Sequence, residues 1–301
     1  MAFFYSAFGL TINCEFELHG MMPGDANSES DVNIRLASLP DDLGDDSHKA
    51  LRFSITKNEF LLRVDNVGKY LTSNGNSILV DPVSEDPREI QMFLFGSAFG
   101  ALLHQRNDLI LHASAVQIGG KAMLFCGKSG SGKSTTAQAF VMKGGTLLSD
   151  DVCRIEFLNG TPYVHPAFPK QKMWPDSLEW LDLESGDLPS IRPGVEKREL
   201  PVASAFVTKP VPVGNVYFIF MHTGEEVSME PVIGPDAFEC IRLNTYRFRL
   251  IKLMGKQKEH FKNVVRLANA ITPRKIRRPV NGTKQLMNDF IRAVENDISI
   301  Q

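Results

Sequence analysis

One stretch constrains the fold more than any other: FCGKSGSGKSTTAQAF, Phe125 to Phe140. Within it Gly127, Lys128, Ser129, Gly130, Ser131, Gly132, Lys133 and Ser134 spell G-x-x-x-x-G-K-[ST], the Walker A pattern. That pattern works only where an apolar strand feeds a glycine-rich loop that opens directly into a helix. The glycines let successive backbone N–H groups turn inward around an anion, and the helix adds the partial positive charge of its N-terminus. Here AMLFC precedes the loop, and Ala137, Phe140 and Val141 share one face of a helix over 133–143 that Gly144-Gly145 stops. The stretch therefore predicts an α/β unit that cradles a nucleoside triphosphate. Lys133 would reach the β- and γ-phosphates, the Ser134 hydroxyl would meet Mg²⁺, and residues Gly127 to Thr135 would surround the phosphates. ATP and Mg²⁺ are the implied small molecules.

A pair of carboxylates sharpens this. LLSDDV places Asp150 seventeen residues after Lys133, with Asp151 next. A helix and a short return strand would carry both back beside the phosphates, one to bind the metal and one to accept a proton from an attacking hydroxyl. Ser134 and Asp151 are the expected metal ligands. The division of base and metal roles between the aspartates stays open, because adjacent residues of a strand face opposite ways.

The rest of the chain sets the context. At 301 residues, 43% hydrophobic and 23% charged, it has apolar material for a sizeable core and the length of two domains or one large one. Residues 1–95 read as a smaller β-rich α+β domain, because NIRLASL and LRFSITKNEFLLRVDNVGKYLTSNGNSILVDP alternate apolar and polar positions between Asn/Gly turns. Residues 96–301 then form the catalytic domain. A helix over Arg88–Asn107 spans the border, LILHASAVQIGGKAMLFCG reads as a hairpin turning at Gly119-Gly120, and TLLSDDVCRIEF reads as a strand. WPDSLEWLDL, PDAFECIRLNTYRFRLI and a segment carrying Leu286, Phe290, Ile291 and Val294 read as helices, and PVGNVYFIFMHT as a buried strand.

The N-terminus has no basic residue before its first apolar run, no run is long enough to cross a bilayer, and the four scattered cysteines read as reduced thiols. A cytoplasmic protein without a membrane partner is expected. Residues 1–95 hold 7 Lys+Arg against 15 Asp+Glu, and the remainder 26 against 20, so the basic excess travels with the glycine-rich loop. Arg192, Lys197 and Arg198 in IRPGVEKREL are further candidates to fold over the γ-phosphate. TPRKIRRP, without interleaved aromatics, reads as a solvated strand edge, and no nucleic acid is expected.

LHASAVQIGGKAMLFCGKSGSGKSTTAQAFVMKGGTLLSDDVCRI resembles the catalytic core of the HPr kinase/phosphorylase family: a His after an apolar strand, a strand into GxSGxGKS, a helix ending near Gly, then an Asp-Asp pair. His112, Gly127, Gly132, Lys133, Ser134, Asp150 and Asp151 match one by one. The resemblance implies a P-loop kinase core of the HPr kinase C-terminal-domain type, serine as acceptor, and His112 near the transferring phosphate. The family's E-I-R-G signature is absent after the Asp pair; VHPAFPKQKMWPDSLEWL stands there instead. That segment, with AFGLTINCEFEL, FLLRVDNVGKYL and FGSAFGALLHQRNDLILHASAV, resembles the HPr-kinase-like tailoring kinases of lasso-peptide genes, which implies a precursor peptide whose C-terminal serine is phosphorylated. Other acceptors stay open, namely HPr, another small protein or a metabolite, as do self-association into a homo-oligomer and a module that senses ATP without transferring phosphate.

Overall fold

The computed structural model describes residues 2–184, 186–192, 194–280 and 283–300. The N-terminal part is one nine-stranded sheet. Its strands are β1 (Phe3–Ala7), β2 (Leu10–Cys14), β3 (Met22–Pro23), β4 (Val32–Leu36), β5 (His48–Ala50), β6 (Phe53–Ile55), β7 (Glu59–Val64), β8 (Gly68–Ser73) and β9 (Ser77–Pro82). They lie side by side in the order β3-β1-β2-β4-β9-β8-β7-β6-β5. Strict alternation explains the single buried face: Leu10, Ile12 and Cys14 on β2, or Ile78 and Val80 on β9, point inward while their neighbours stay partly exposed.

One helical run covers that face. It comprises α1 (Pro87–Phe93), a π-helical turn (Leu94–Ala98) and α2 (Phe99–Gln105), in place of the uninterrupted helix expected from the sequence. Asp86 caps it by accepting the backbone N–H of Arg88 at 2.9 Å, with Pro87 at the first helical position. The border drawn at residue 95 falls inside the π-helical turn. Leu94, Phe95, Ala98 and Phe99 pack in the same core as β2 and β9, and so do Val152, Phe168 and Leu250 from the second half. Arg154 also crosses between the halves, bonding Asp108 at 2.9 Å and donating to the carbonyl of Phe8 at 2.6 Å.

The second sheet is built from β10 (Leu109–Leu111), β11 (Ala113–Ile118), β12 (Lys121–Gly127), β13 (Thr146–Ser149), β14 (Cys153–Leu158), β15 (Thr161–Val164), β18 (Val211–His222), β19 (Ser228–Pro231) and β20 (Arg274–Pro279). The order β10-β14-β15-β18-β12-β11-β13 is extended by β20, which pairs with both β18 and β19. A separate ribbon pairs β16 (Lys170–Met173) with β17 (Arg198–Pro201). Gly119 and Gly120 turn the β11–β12 hairpin with both φ angles positive, at 56° and 80°, the conformation a two-residue loop requires. Helices cover both faces of the sheet. On one side α3 (Lys133–Met142) and α8 (Lys284–Ile300) bring Phe140, Phe290 and Val294 against Phe125, Tyr217 and Ile276. On the other, α5 (Gly234–Leu243) and α7 (Gln257–Ala270) bring Ile241, Val264 and Leu267 against Leu124, Val216 and Phe218. The architecture is mixed α/β. The remaining helices are α4 (Pro175–Trp180) and α6 (Arg249–Leu253). Among the described residues no helix is long and apolar enough to cross a membrane.

Two expectations are corrected. TLLSDDVCRIEF is not one strand: β13 pairs with β11, β14 pairs with β10 and β15, and the aspartates occupy the bend between them. The segment read as a strand edge, TPRKIRRP, runs inside the sheet as β20.

Two neutral histidines tie stability to pH. His104 is 2% exposed and its Nε2 donates to the carbonyl of Tyr246 at 2.7 Å, while His260 is 8% exposed beside Thr245. Burial pushes both imidazoles down to about 4. A folded value below the unfolded value of about 6.5 means that the unfolded chain binds more protons as the pH falls. Stability is therefore full above about pH 6.5 and declines toward pH 4, by up to about 1.4 kcal/mol per pH unit per histidine. Urea titrations across that window are expected to show the decline, and His104→Gln to make it shallower, leaving the part due to His260.

Candidate active site

The loop between β12 and α3 needs glycine at two positions, at Gly127 for space and conformation and at Gly132 for conformation. Gly127 has a φ of 153°, and a Cβ there would lie 2.8 Å from the carbonyl oxygen of Ile219 and 2.6 Å from Ser131 Oγ. Gly132 precedes the helix with a φ of 98°. Lys133 is 7% exposed and turns its Nζ back to the carbonyls of Gly127 (3.0 Å) and Lys128 (3.2 Å). Burial lowers its pKa, against the pull of Asp151 and Asp150. Lys128, Ser129 and Gly130 are exposed, and Thr135 is buried with its hydroxyl on Ser177 Oγ at 2.8 Å. Beneath the loop Arg278, from β20, donates Nε to the carbonyl of Ser131 at 2.8 Å and Nη2 to that of Gly130 at 3.3 Å. The guanidinium braces the loop through these two carbonyls and also lines the cleft that the loop faces.

The two aspartates do different things. Asp150 Oδ1 accepts from Ser114 Oγ at 2.5 Å and Ser134 Oγ at 2.9 Å, and its Oδ2 accepts the backbone N–H of Lys172 at 3.0 Å. Asp151 turns the other way because its backbone is left-handed, with a φ of 74° that costs a non-glycine residue roughly 1–3 kcal/mol. Its Oδ2 meets Lys172 Nζ at 3.0 Å and its Oδ1 lies 4.0 Å from His112 Nδ1, which donates to the Asp151 carbonyl at 3.1 Å. Asp150, not Asp151, is thus the carboxylate beside Ser134, which corrects the pairing of Ser134 with Asp151. Burial and the charge of Asp151 push the Asp150 carboxyl up. Burial also opposes ionisation of Asp151, but Lys172 and His112 outweigh it and hold that carboxyl well below the usual range. The His112 imidazole is pushed down, first by burial and then by Lys133.

The loop, His112, Asp151 and Lys172 face a cleft of about 290 Å³ that is walled also by Arg278 and by α4 with its flanking Trp174. Lys197 enters it and lies 5.3 Å above the Trp174 ring. Arg192 and Arg198 do not. Arg192 lines a hollow beside Val67 and Phe93, and Arg198 on β17 donates to the carbonyl of Leu188 at 3.4 Å. Pro193, in the same loop, lies outside the described residues.

Three site residues escaped the sequence reading: Ser114, Lys172 and Arg278. Ser114 was within reach, since it is two residues from His112 and period-two alternation puts both on one side of the chain.

The residues fit a triphosphate with Mg²⁺. The loop leaves no room for a Cβ at Gly127, and the buried Ser131 Oγ has no hydrogen-bond partner among the described residues. The Ser134 hydroxyl and the Asp150 carboxylate are the hard oxygen donors that Mg²⁺ takes alongside phosphate oxygens. Among the described residues no group of three His, Cys, Asp or Glu side chains forms a separate metal cage.

No family model matches the chain, and none of the curated proteins matches it. Among solved structures it is similar to the Hpr(Ser) kinase/phosphatase from Coxiella burnetii, at 14% identity and a TM-score of 0.32, over 63% of this chain and 98% of that one. An overlap at that score carries no functional weight.

Proposed function

We propose that the protein is an ATP- and Mg²⁺-dependent kinase that moves the γ-phosphoryl group to the hydroxyl of a serine. The observation that carries this reading is the separation of the two carboxylates around one loop: Asp150 against Ser134 at 2.9 Å, Asp151 on the opposite side between Lys172 and His112. A module that only senses nucleotide needs the first carboxylate but has no use for the second, held ionised in a costly backbone conformation.

Roles follow from position. The loop N–H groups and Lys133 hold the phosphates and meet the charge that develops during transfer. Ser134 and Asp150 hold the metal, which when bound neutralises phosphate oxygens. Asp151 accepts the proton of the attacking hydroxyl, Lys172 keeps it ionised and oriented, and His112 and Lys197 add donors at the rim. The expected acceptor is a serine at or near the end of a short precursor peptide, as the sequence resemblance implies, and a rigid carrier such as HPr is a poor substrate because the E-I-R-G segment is replaced. Mass spectrometry after incubation with ATP, Mg²⁺ and each acceptor tests this. Phosphoserine on the peptide supports the assignment; efficient modification of HPr alone overturns the acceptor, and phosphate on neither overturns the kinase.

A further inference from the structure

Behind the Asp151–Lys172 ion pair lies a second hollow that contributes nothing to the loop. It is a recess of about 50 Å³ between the N-terminal helical run and the segment before β17, mostly apolar in surface but lined also by Arg88, Gln91, Asp150 and Glu199. Met92 and Phe95 form one wall, Val152 and Phe168 the floor, and Ile191 the far side. The rings of Phe95 and Phe168 pack at an interplanar angle of 34° with centroids 4.5 Å apart. The wide π-helical turn at Leu94–Ala98 brings Phe95 and Gly96 to the recess, a local irregularity of the kind often found at functional sites. Asp151 and Lys172 line both this recess and the nucleotide cleft, so their ion pair is the shared partition.

The geometry points to this recess as the acceptor subsite, taking a primary alcohol that carries a small apolar neighbour. The assignment rests on the kinase reading above. Three features define the occupant. A hydroxyl is selected because the Asp151 carboxylate lines the recess and can accept its hydrogen bond. An apolar neighbour is selected because the cations that line the recess are already paired, Lys170 with Glu199 at 3.1 Å, Arg88 with Asp86 at 3.2 Å and Lys172 with Asp151, and a further charge would be buried without a free partner among them. A small neighbour is selected because the recess, at about 50 Å³, is far smaller than the nucleotide cleft of about 290 Å³. The alcohol oxygen bonds to the γ-phosphorus, the bond from that phosphorus to the β–γ bridging oxygen breaks, the alcohol proton passes to Asp151, and ADP leaves.

Capped tripeptides Gly-Ser-X and X-Ser-Gly, with X as Val, Trp or Glu, test the recess. The wild-type protein is expected to prefer Val over both Trp and Glu by at least about tenfold in kcat/KM in one of the two positions. Met92→Trp and Ile191→Trp fill the recess from opposite sides, so one serves if the other fails to fold. Each is expected to raise KM for the Val peptide about tenfold or more while ATP affinity stays at the wild-type value. Equal rates for the three residues, an unchanged peptide KM in the folded variants, or no transfer to any peptide by a chain that binds ATP overturns the recess. Failure of the wild-type chain to bind ATP instead removes the kinase reading on which it rests.

Discussion

Lys133→Ala is expected to lower phosphoryl transfer by about a hundred- to a thousand-fold, the loss typical of removing one donor aimed at transition-state charge. The fold should survive. Among the described residues Lys133 Nζ hydrogen-bonds to the loop carbonyls of Gly127 and Lys128 alone, while the packing of α3 rests on Ala137 and Phe140. The effect should appear in kcat/KM with an unchanged thermal midpoint. Wild-type transfer by the purified variant would show that the phosphates lie elsewhere.

The aspartates are expected to fail differently. In Asp150→Asn the ligand beside Ser134 is weakened, so the Mg²⁺ requirement should rise and activity should return in part as the metal concentration increases. In Asp151→Asn turnover should fall on the order of a hundred- to ten-thousand-fold at saturating Mg²⁺, with nucleotide affinity retained. Asparagine tolerates the left-handed backbone that Asp151 adopts, so this change removes charge without forcing the bend to rebuild. A titration of activity against Mg²⁺ for both variants separates the roles. If Asp151→Asn rather than Asp150→Asn responds to metal, the assignments are exchanged; near-normal activity in both removes the carboxylates from the reaction.

How far the site could be read from the chain depends on the range of the interaction. The loop, its helix and the Gly119-Gly120 hairpin follow from local chemistry, and each is visible within a dozen residues. The order of the aspartates is not. Treating SDD as strand makes neighbours face opposite ways, but does not say which faces Ser134. The φ of 74° at Asp151, which decides it, leaves no trace in hydrophobic periodicity. Arg278 is hidden for another reason. It sits 147 residues from the loop carbonyl it braces, and its parallel strand joins the sheet through long connections. A basic segment looks like a solvated edge until tertiary structure shows one guanidinium capping backbone carbonyls. The π-helical turn was equally invisible, because Leu94, Phe95 and Ala98 satisfy ordinary helical spacing. Among Arg192, Lys197 and Arg198, charge alone does not distinguish the one that reaches the cleft, since the path of the loop decides it.

The central claim is that this cleft delivers a γ-phosphoryl group to an alcohol and not to water. A single-turnover reaction with ATP labelled in its γ-phosphate, Mg²⁺, excess enzyme and a serine peptide tests it most directly. The account predicts that label leaving ATP appears on the serine oxygen in step with ADP formation, and that Asp151→Asn slows both together. Label released only as inorganic phosphate, at a rate the peptide does not change, would contradict it.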